Sequence, residues 1–219
     1  MLEKSGFIVT LDKRVWFMVA RWLASVIARG IAPVPVSINV SRIDILSFDV
    51  PEFLERLIEE HRLPPHLLEV EITETAYAQD ERVMESFARR LREMGVTVLM
   101  DDFGTGRSSL SMLSDVSVDV IKLDRQFLPD ADASRAQTGR DVSLMASMVD
   151  LDHALDLPLI VEGVETQAQA QLVLDMGARY AQGFHCYRPM PPQEFERILS
   201  DAALVDLTGL LAPSKRKQR

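Results

Sequence analysis

A single cysteine, Cys186, stands in 219 residues, and that scarcity excludes an intramolecular disulfide framework. A lone thiol fits a reducing compartment, so the sequence reads as cytoplasmic. Long apolar runs are missing too. The longest apolar-leaning stretch, Val15 to Ile31, is broken by Arg21, Ser25 and Arg29, whereas a membrane span needs ~18–20 apolar residues. Glu3 and Lys4 are followed by too short an apolar segment for a secretory signal. Basic charge is in deficit, with 24 Lys plus Arg against 33 Asp plus Glu, a net charge of −9. Such a chain is a poor binder of polymeric nucleic acid, and a polyanionic ligand would need local help of the kind metal ions supply. The basic end, Lys215-Arg216-Lys217-Gln218-Arg219 after Pro213-Ser214, reads as a frayed, solvated tail. What remains, 47% hydrophobic and 26% charged residues, is the composition of an ordinary globular chain able to bury a sizeable core.

Short β-rich runs alternate with amphipathic stretches. Strands are expected at Val34–Val40, Leu67–Thr73, Val96–Asp101, Val118–Leu123, Leu157–Glu162 and Ala178–Phe184. Most are short and rich in Val, Ile or Leu, as strands buried on both faces should be. Helices are expected at about Asp12–Arg29, Pro51–His61, Asp80–Met94, Asp141–Leu155, Gln167–Met176 and Pro192–Ser200. Asp12 is a candidate N-cap, and Gly30, Gly95 and Gly177 sit where helix C-termini favour a left-handed residue. This rhythm predicts an α/β fold with a parallel sheet. The six strand candidates fall short of the eight-fold barrel, which typically takes ~250 residues. No internal repeat or low-complexity linker is evident, and Pro129–Arg140 reads as one surface loop.

Polar residues gather at the C-terminal ends of these runs: Asn39, then Glu71 and Glu74, Asp101-Asp102, Lys122 and Asp124, Glu162, and Gln182. In parallel α/β folds the strand C-termini carry the chemistry. Individually each has a bland explanation: a turn cap for Asp101-Asp102, a surface ion pair for Glu71 or Glu74, a snorkelling stem for Lys122. Together they are hard to explain by packing, because buried carboxylates repel unless paired or metal-bound. The four histidines show no zinc-like spacing, and oxygen donors favour Mg²⁺ or Mn²⁺. Two hard cations held by carboxylates are a common device for phosphodiester hydrolysis. Adjacent strand aspartates normally face opposite ways, but Asp101-Asp102 runs into Phe103-Gly104-Thr105-Gly106, where the chain can turn and bring both inward.

These segments resemble the EAL domain, the bacterial phosphodiesterase family that linearises cyclic di-GMP. The resemblance rests on Ser37-Ile38-Asn39-Val40-Ser41, Glu69-Val70-Glu71-Ile72-Thr73-Glu74-Thr75, and Asp101 through Ser111 (DDFGTGRSSLS). It continues through Val118 to Asp124 (VDVIKLD), Val161-Glu162-Gly163-Val164-Glu165-Thr166, Gln182-Gly183-Phe184 and Tyr187-Arg188-Pro189. It implies a TIM-like (β/α) barrel domain over residues 1–203, here partial, and a flexible tail over 204–219. It also implies that Asn39, Glu71 and Asp101 bind one Mg²⁺ or Mn²⁺, with Asp101 as a bridge to a second held by Asp102 and Glu162. Lys122, with Glu162, is the implied catalytic group, holding the attacking water. Gln182, Asp124 and Arg188 are the implied substrate contacts. Glu74 would anchor the loop that contains Gly104, Thr105 and Gly106, which in the family often couples to a homodimer interface. The implied activity is metal-dependent hydrolysis of cyclic di-GMP to linear pGpG.

The tripeptide that names the family occurs nowhere in this chain. In the family its glutamate is a metal ligand on a strand preceding Asn39, and a nearby arginine contacts a substrate phosphate. The expectation is therefore a barrel lacking its first two strands, with Met1 either a true or an internal start. Such a barrel would expose edges and apolar faces, met by pairing of two copies across the gap, by partial closure with the N-terminal segment, or by marginal stability. Glu52-Phe53-Leu54-Glu55-Arg56 mimics the E-x-L-x-R spacing but follows Pro51 in a helical pattern, so it is not expected to supply the ligand. Three readings follow: a phosphodiesterase impaired by loss of that glutamate, a catalytically inactive module that binds cyclic di-GMP or another protein, or an inert remnant whose carboxylates have not drifted.

Overall fold

A computed structural model describes residues 7–105, 117–128, 139–155 and 157–200. It confirms the α/β class, with six parallel strands interleaved with α-helices. The chain divides into two compact units, Met1–Asp101 with Gly106–Asp119, and Asp102–Thr105 with Val120–Arg219.

The first unit contains α1 (Phe7–Ala28), β1 (Val36–Asn39), α2 (Arg42–Ser47), α3 (Val50–His61), β2 (Leu68–Thr73), α4 (Glu74–Gln79), α5 (Glu81–Glu93) and most of β3 (Thr97–Phe103). β2 pairs in parallel with β1 on one side and β3 on the other. Leu68, Val70 and Ile72 of β2 are buried while Glu69, Glu71 and Thr73 are half-buried, so the period-2 alternation sorts apolar from acidic residues. Met84, Phe87, Ala88 and Leu91 give α5 a buried stripe at helical spacing. Burial of Met84, Phe87 and Leu91 contributes about 1.5–3 kcal/mol each.

Sequence chemistry sets the helix ends. Ser41 and Asp44 form a capping box at α2, and the Asp49 carboxylate accepts the Glu52 N–H at 3.0 Å to start α3. Glu52 therefore lies in the first turn of α3, ion-paired with Arg56, as its helical pattern predicts. Gly30, Gly95 and Gly177 adopt φ of 72°, 83° and 85° at the expected helix ends.

The expected cap of the first helix fails. Asp12 does not cap α1, because that helix already begins at Phe7. The Asp12 carboxyl instead lies against the fully buried Asp44. Burial first, and then the neighbouring Asp44, raises its pKa from 3.8 to about 6. Trp16, Ala20, Leu23 and Val26 bury one face of α1, with Trp16 ringed by Phe48 and Phe53 at centroid distances of 6.2 and 5.9 Å. The opposite face leaves Phe7, Leu11, Val15 and Met18 exposed.

The second unit takes the end of β3, β4 (Val120–Leu123), α6 (Gly139–Leu155), β5 (Leu159–Val161), α7 (Gln167–Asp175), β6 (Tyr180–Ala181) and α8 (Pro192–Ser200). β5 pairs in parallel with β4 and with β6. β6 is shorter than the Ala178–Phe184 run suggests. Gly183 approaches Val164 so closely that a Cβ would stand 2.1 Å from the Val164 carbonyl oxygen, and the chain turns there. Helix α6 starts at Gly139, two residues before its expected start at Asp141. Most of the Pro129–Arg140 loop, Gly106, Arg107 and the 204–219 tail lie outside the described residues. Among the described residues no helix is long and apolar enough to cross a membrane.

Candidate active site

In the first unit the strand register places the polar residues on one face. Asn39 pairs with Glu71 across β1 and β2, and Thr73 pairs with Asp101 across β2 and β3. Parallel partners share a face and side chains alternate, so Asn39, Glu71 and Asp101 fall on the same side of these strands. Asn39 ends β1 with an exposed side chain, while its carbonyl accepts the Trp16 indole N–H at 3.1 Å, tying α1 to the strand end. Glu71 is half-buried. One row below, the Ser37 hydroxyl donates to Glu69 at 2.8 Å. Glu74 is 1% exposed at the first position of α4, where the Thr73 side chain caps the helix. A buried carboxylate there is favoured by the positive end of the helix dipole.

In the second unit Asp102 adopts a left-handed backbone, φ 55°, uncommon for a residue with a side chain. The chain is redirected here, just ahead of the turn at Gly104 and Thr105. Asp102 and Glu162 bring carboxylate oxygens within 4.8 Å of one another. Glu162 directly follows β5 and donates its N–H to the Leu123 carbonyl at 3.0 Å. Its Oε1 lies 2.8 Å from Lys122 Nζ, with side-chain exposures of 18% for Glu162 and 5% for Lys122. An ion pair this enclosed is costly to desolvate, and each charge depends on the other.

The remaining expected residues are held by local contacts of their own. Asp124 caps the three-residue 3₁₀ turn Arg125–Phe127, its carboxylate accepting the Gln126 N–H at 2.9 Å. Gln182 follows β6 with an exposed side chain. Its backbone donates to Val161 at 2.8 Å and accepts from Val164 at 3.1 Å. Arg188 is exposed and stacks over Phe184 at 4.8 Å. Gly104 and Thr105 form the turn after Asp102, with the Thr105 hydroxyl donating to the Asp102 carbonyl at 2.9 Å. Sequence reasoning missed Gln126 and Phe127, which touch this turn from the end of β4. No local signal marks them, because the contact closes over a sequence separation of 22 residues.

The donor set is oxygen throughout, and two oxygens within 4.8 Å can both reach one hard cation, whose bonds to oxygen run ~2.0–2.6 Å. Among known protein families, the EAL domain matches residues 1–189. The chain belongs to the EAL domain family. It is 35% identical over 187 residues to the cyclic di-GMP phosphodiesterase RocR of Pseudomonas aeruginosa, covering 84% of this chain and 47% of that protein. It is 30% identical over 194 residues to the bifunctional diguanylate cyclase/cyclic di-GMP phosphodiesterase MucR of the same species, covering 89% of this chain and 28% of that one. Among solved structures, the PaMucR phosphodiesterase in complex with c-di-GMP superposes with a TM-score of 0.81 at 30% identity, covering 89% of this chain and 77% of that one. The EAL domain of Mycobacterium smegmatis DcpA gives 0.80 at 30% identity, covering 88% and 85%. This EAL chain spans between 20% of the signalling protein YkoW of Bacillus subtilis, at 35% identity over 75% of this chain, and the 47% of RocR.

Proposed function

We propose that the chain is a divalent-metal-dependent phosphodiesterase domain that hydrolyses cyclic di-GMP to linear pGpG. The observation that carries this reading is the enclosed Lys122–Glu162 pair with the Asp102 carboxylate beside Glu162, at the C-terminal ends of parallel strands. Asn39, Glu71 and Asp101 would hold one Mg²⁺ or Mn²⁺, and Asp102 and Glu162 another. Bound cations supply neutralisation of phosphate charge and acidification of water. Lys122 holds the attacking water by donating a hydrogen bond to its oxygen, and Glu162 keeps the Lys122 ammonium in place. Gln182 and Arg188 are the donors offered to the ligand. Asp124 is read as a further ligand contact, although its carboxylate already caps the Arg125–Phe127 turn. Glu74 anchors the loop after Asp102.

A second reading is a cyclic di-GMP-binding or protein-interaction module without turnover, because the E-x-L-x-R run at Glu52 is engaged with Arg56 on the exposed surface of α3 and offers no further metal ligand. We further read the chain as a cytoplasmic EAL domain over residues 1–203 with a tail over 204–219, working as a homodimer. The exposed α1 residues Phe7, Leu11, Val15 and Met18 are what pairing would cover. Light scattering on the purified chain tests the dimer, and a stable monomer at micromolar concentration would refute it.

Cyclic di-GMP incubated with the purified chain and Mn²⁺, beside Glu71→Ala, separates the two main readings. Formation of pGpG by the wild type, lost in the variant, is the expected outcome. A folded wild type that binds the dinucleotide without cleaving it would establish the module instead.

A further inference from the structure

We infer that the short turn Arg125–Phe127 is a spacer that sets the separation of the Asp102 and Glu162 carboxylates, with Gln126 and Phe127 as positioning residues. The inference deepens the metal-site reading above and rests on it. Three approaches converge on this turn. On one side the Gln126 side-chain amide donates to the Gly104 carbonyl at 2.9 Å. The Phe127 ring presses against Gly104 so closely that a Cβ there would lie 2.4 Å from two ring carbons. On the other side Arg125 packs against Gly163, where a Cβ would stand 2.3 Å from the Arg125 Cβ. Gly104 is two residues after Asp102, and Gly163 is next to Glu162. The three-residue turn is thus in contact with both loops that carry the carboxylates.

The turn is itself fixed. Asp124 caps it through the Gln126 N–H at 2.9 Å, and the Phe127 N–H donates to the Asp124 carbonyl at 3.3 Å. Asp102 also needs outside support, because its left-handed φ of 55° is disfavoured for a residue with a side chain. The Thr105 hydroxyl and N–H, both donating to the Asp102 carbonyl, close the turn from within. Gln126 and Phe127 hold it from outside. Glycine at 104 supplies φ 91° and, together with glycine at 163, the room for this approach.

Two readouts on the 219-residue chain test this. Hydrogen–deuterium exchange across residues 102–105, without metal, reads the turn. Calorimetric titration with Mn²⁺ reads the carboxylate pair. Gln126→Ala and the near-isosteric Gln126→Glu, which removes the amide donor, should speed exchange at 102–105 and weaken Mn²⁺ binding about 10–100-fold, as losses of supporting groups at metal sites do. Melting temperatures without metal should stay close to wild type, because the Gln126 side chain is exposed. Phe127→Leu should act in the same direction. Should that variant fail to fold, the Gln126 pair still decides. Unchanged exchange at 102–105 in both Gln126 variants overturns the inference, as does unchanged Mn²⁺ affinity where the wild type binds. A wild type that binds no Mn²⁺ overturns the metal-site reading instead, and the exchange result then decides the turn alone.

Discussion

The two compact units present their polar strand ends in different ways. In the first, Asn39 is exposed and Glu71 half-buried, and register alone lines them up along β1 and β2. In the second, Lys122 and Glu162 are enclosed at 5% and 18% side-chain exposure and clasp each other at 2.8 Å, with Asp102 held in a left-handed turn. The difference shows what each arrangement demands of its surroundings. Carboxylates and amides that keep access to water need little beyond a strand to carry them. A buried lysine needs its counter-charge, and a left-handed aspartate needs a turn built around it.

The largest expected effect falls on the enclosed side. Lys122→Ala leaves the Glu162 carboxylate mostly buried without its 2.8 Å ammonium partner. Breaking such a pair costs about 3–5 kcal/mol. Urea denaturation should show that loss, and hydrolysis should disappear with it. A drop under about 1 kcal/mol, the range of surface pairs, would erase the contrast between the units.

Gly104→Ala comes next. It adds a Cβ where φ is 91° and Phe127 ring atoms would be 2.4 Å away. Overpacking of this kind costs roughly 1–3 kcal/mol. Thermal melts should show the loss, and Phe127→Leu in the Gly104→Ala background should recover part of it. No recovery would mean that backbone strain, and not the ring, is decisive.

How much of this was legible follows from the same contrast. β3 could be read because a parallel strand buried on both faces spells a continuous apolar run, Val98-Leu99-Met100, whereas β2 was marked by the alternation of Leu68, Val70 and Ile72 with Glu69, Glu71 and Thr73. The polar residues that follow or end them were legible for the same reason, since an acid after Leu159-Ile160-Val161 interrupts an otherwise apolar pattern. The start of α1 was not. Asp12 has the chemistry of a cap, but its carboxyl is taken up by Asp44, a partner distant in sequence. The Gln126–Gly104 hydrogen bond and the Phe127–Gly104 contact were equally hidden, because tertiary contacts between loops leave no periodicity. The glycine after Phe103 did signal a turn, and the chain turns at Gly104.

A smaller effect distinguishes a strained carboxyl away from the strand ends. The Asp12 pKa stands at about 6, raised from 3.8 by burial and by Asp44. A carboxyl with a raised folded-state pKa contributes stability below pH 4 that is lost as pH rises through about 6. Asp12→Asn should therefore be more stable than wild type above pH 6, with the gap closing toward pH 4. Melts across pH 4 to 8 check this, and an advantage confined to low pH would reverse the assignment.

The smallest effect is expected at Glu52. It pairs with Arg56 on an exposed helix surface, and such pairs contribute ~0–1 kcal/mol. Glu52→Gln should leave stability nearly unchanged and hydrolysis rates unaltered. Loss of turnover in this variant would show that the lookalike does supply a ligand.

The most direct test of the central claim, that these strand ends are built to hold hard cations, is anomalous diffraction from crystals soaked with Mn²⁺. The account predicts a manganese peak within coordinating distance of the Asp102 and Glu162 carboxylates, lost in a Glu162→Gln crystal. Crystals of the wild type with both carboxylates ordered and no peak beside them, at Mn²⁺ concentrations that saturate related sites, would contradict it.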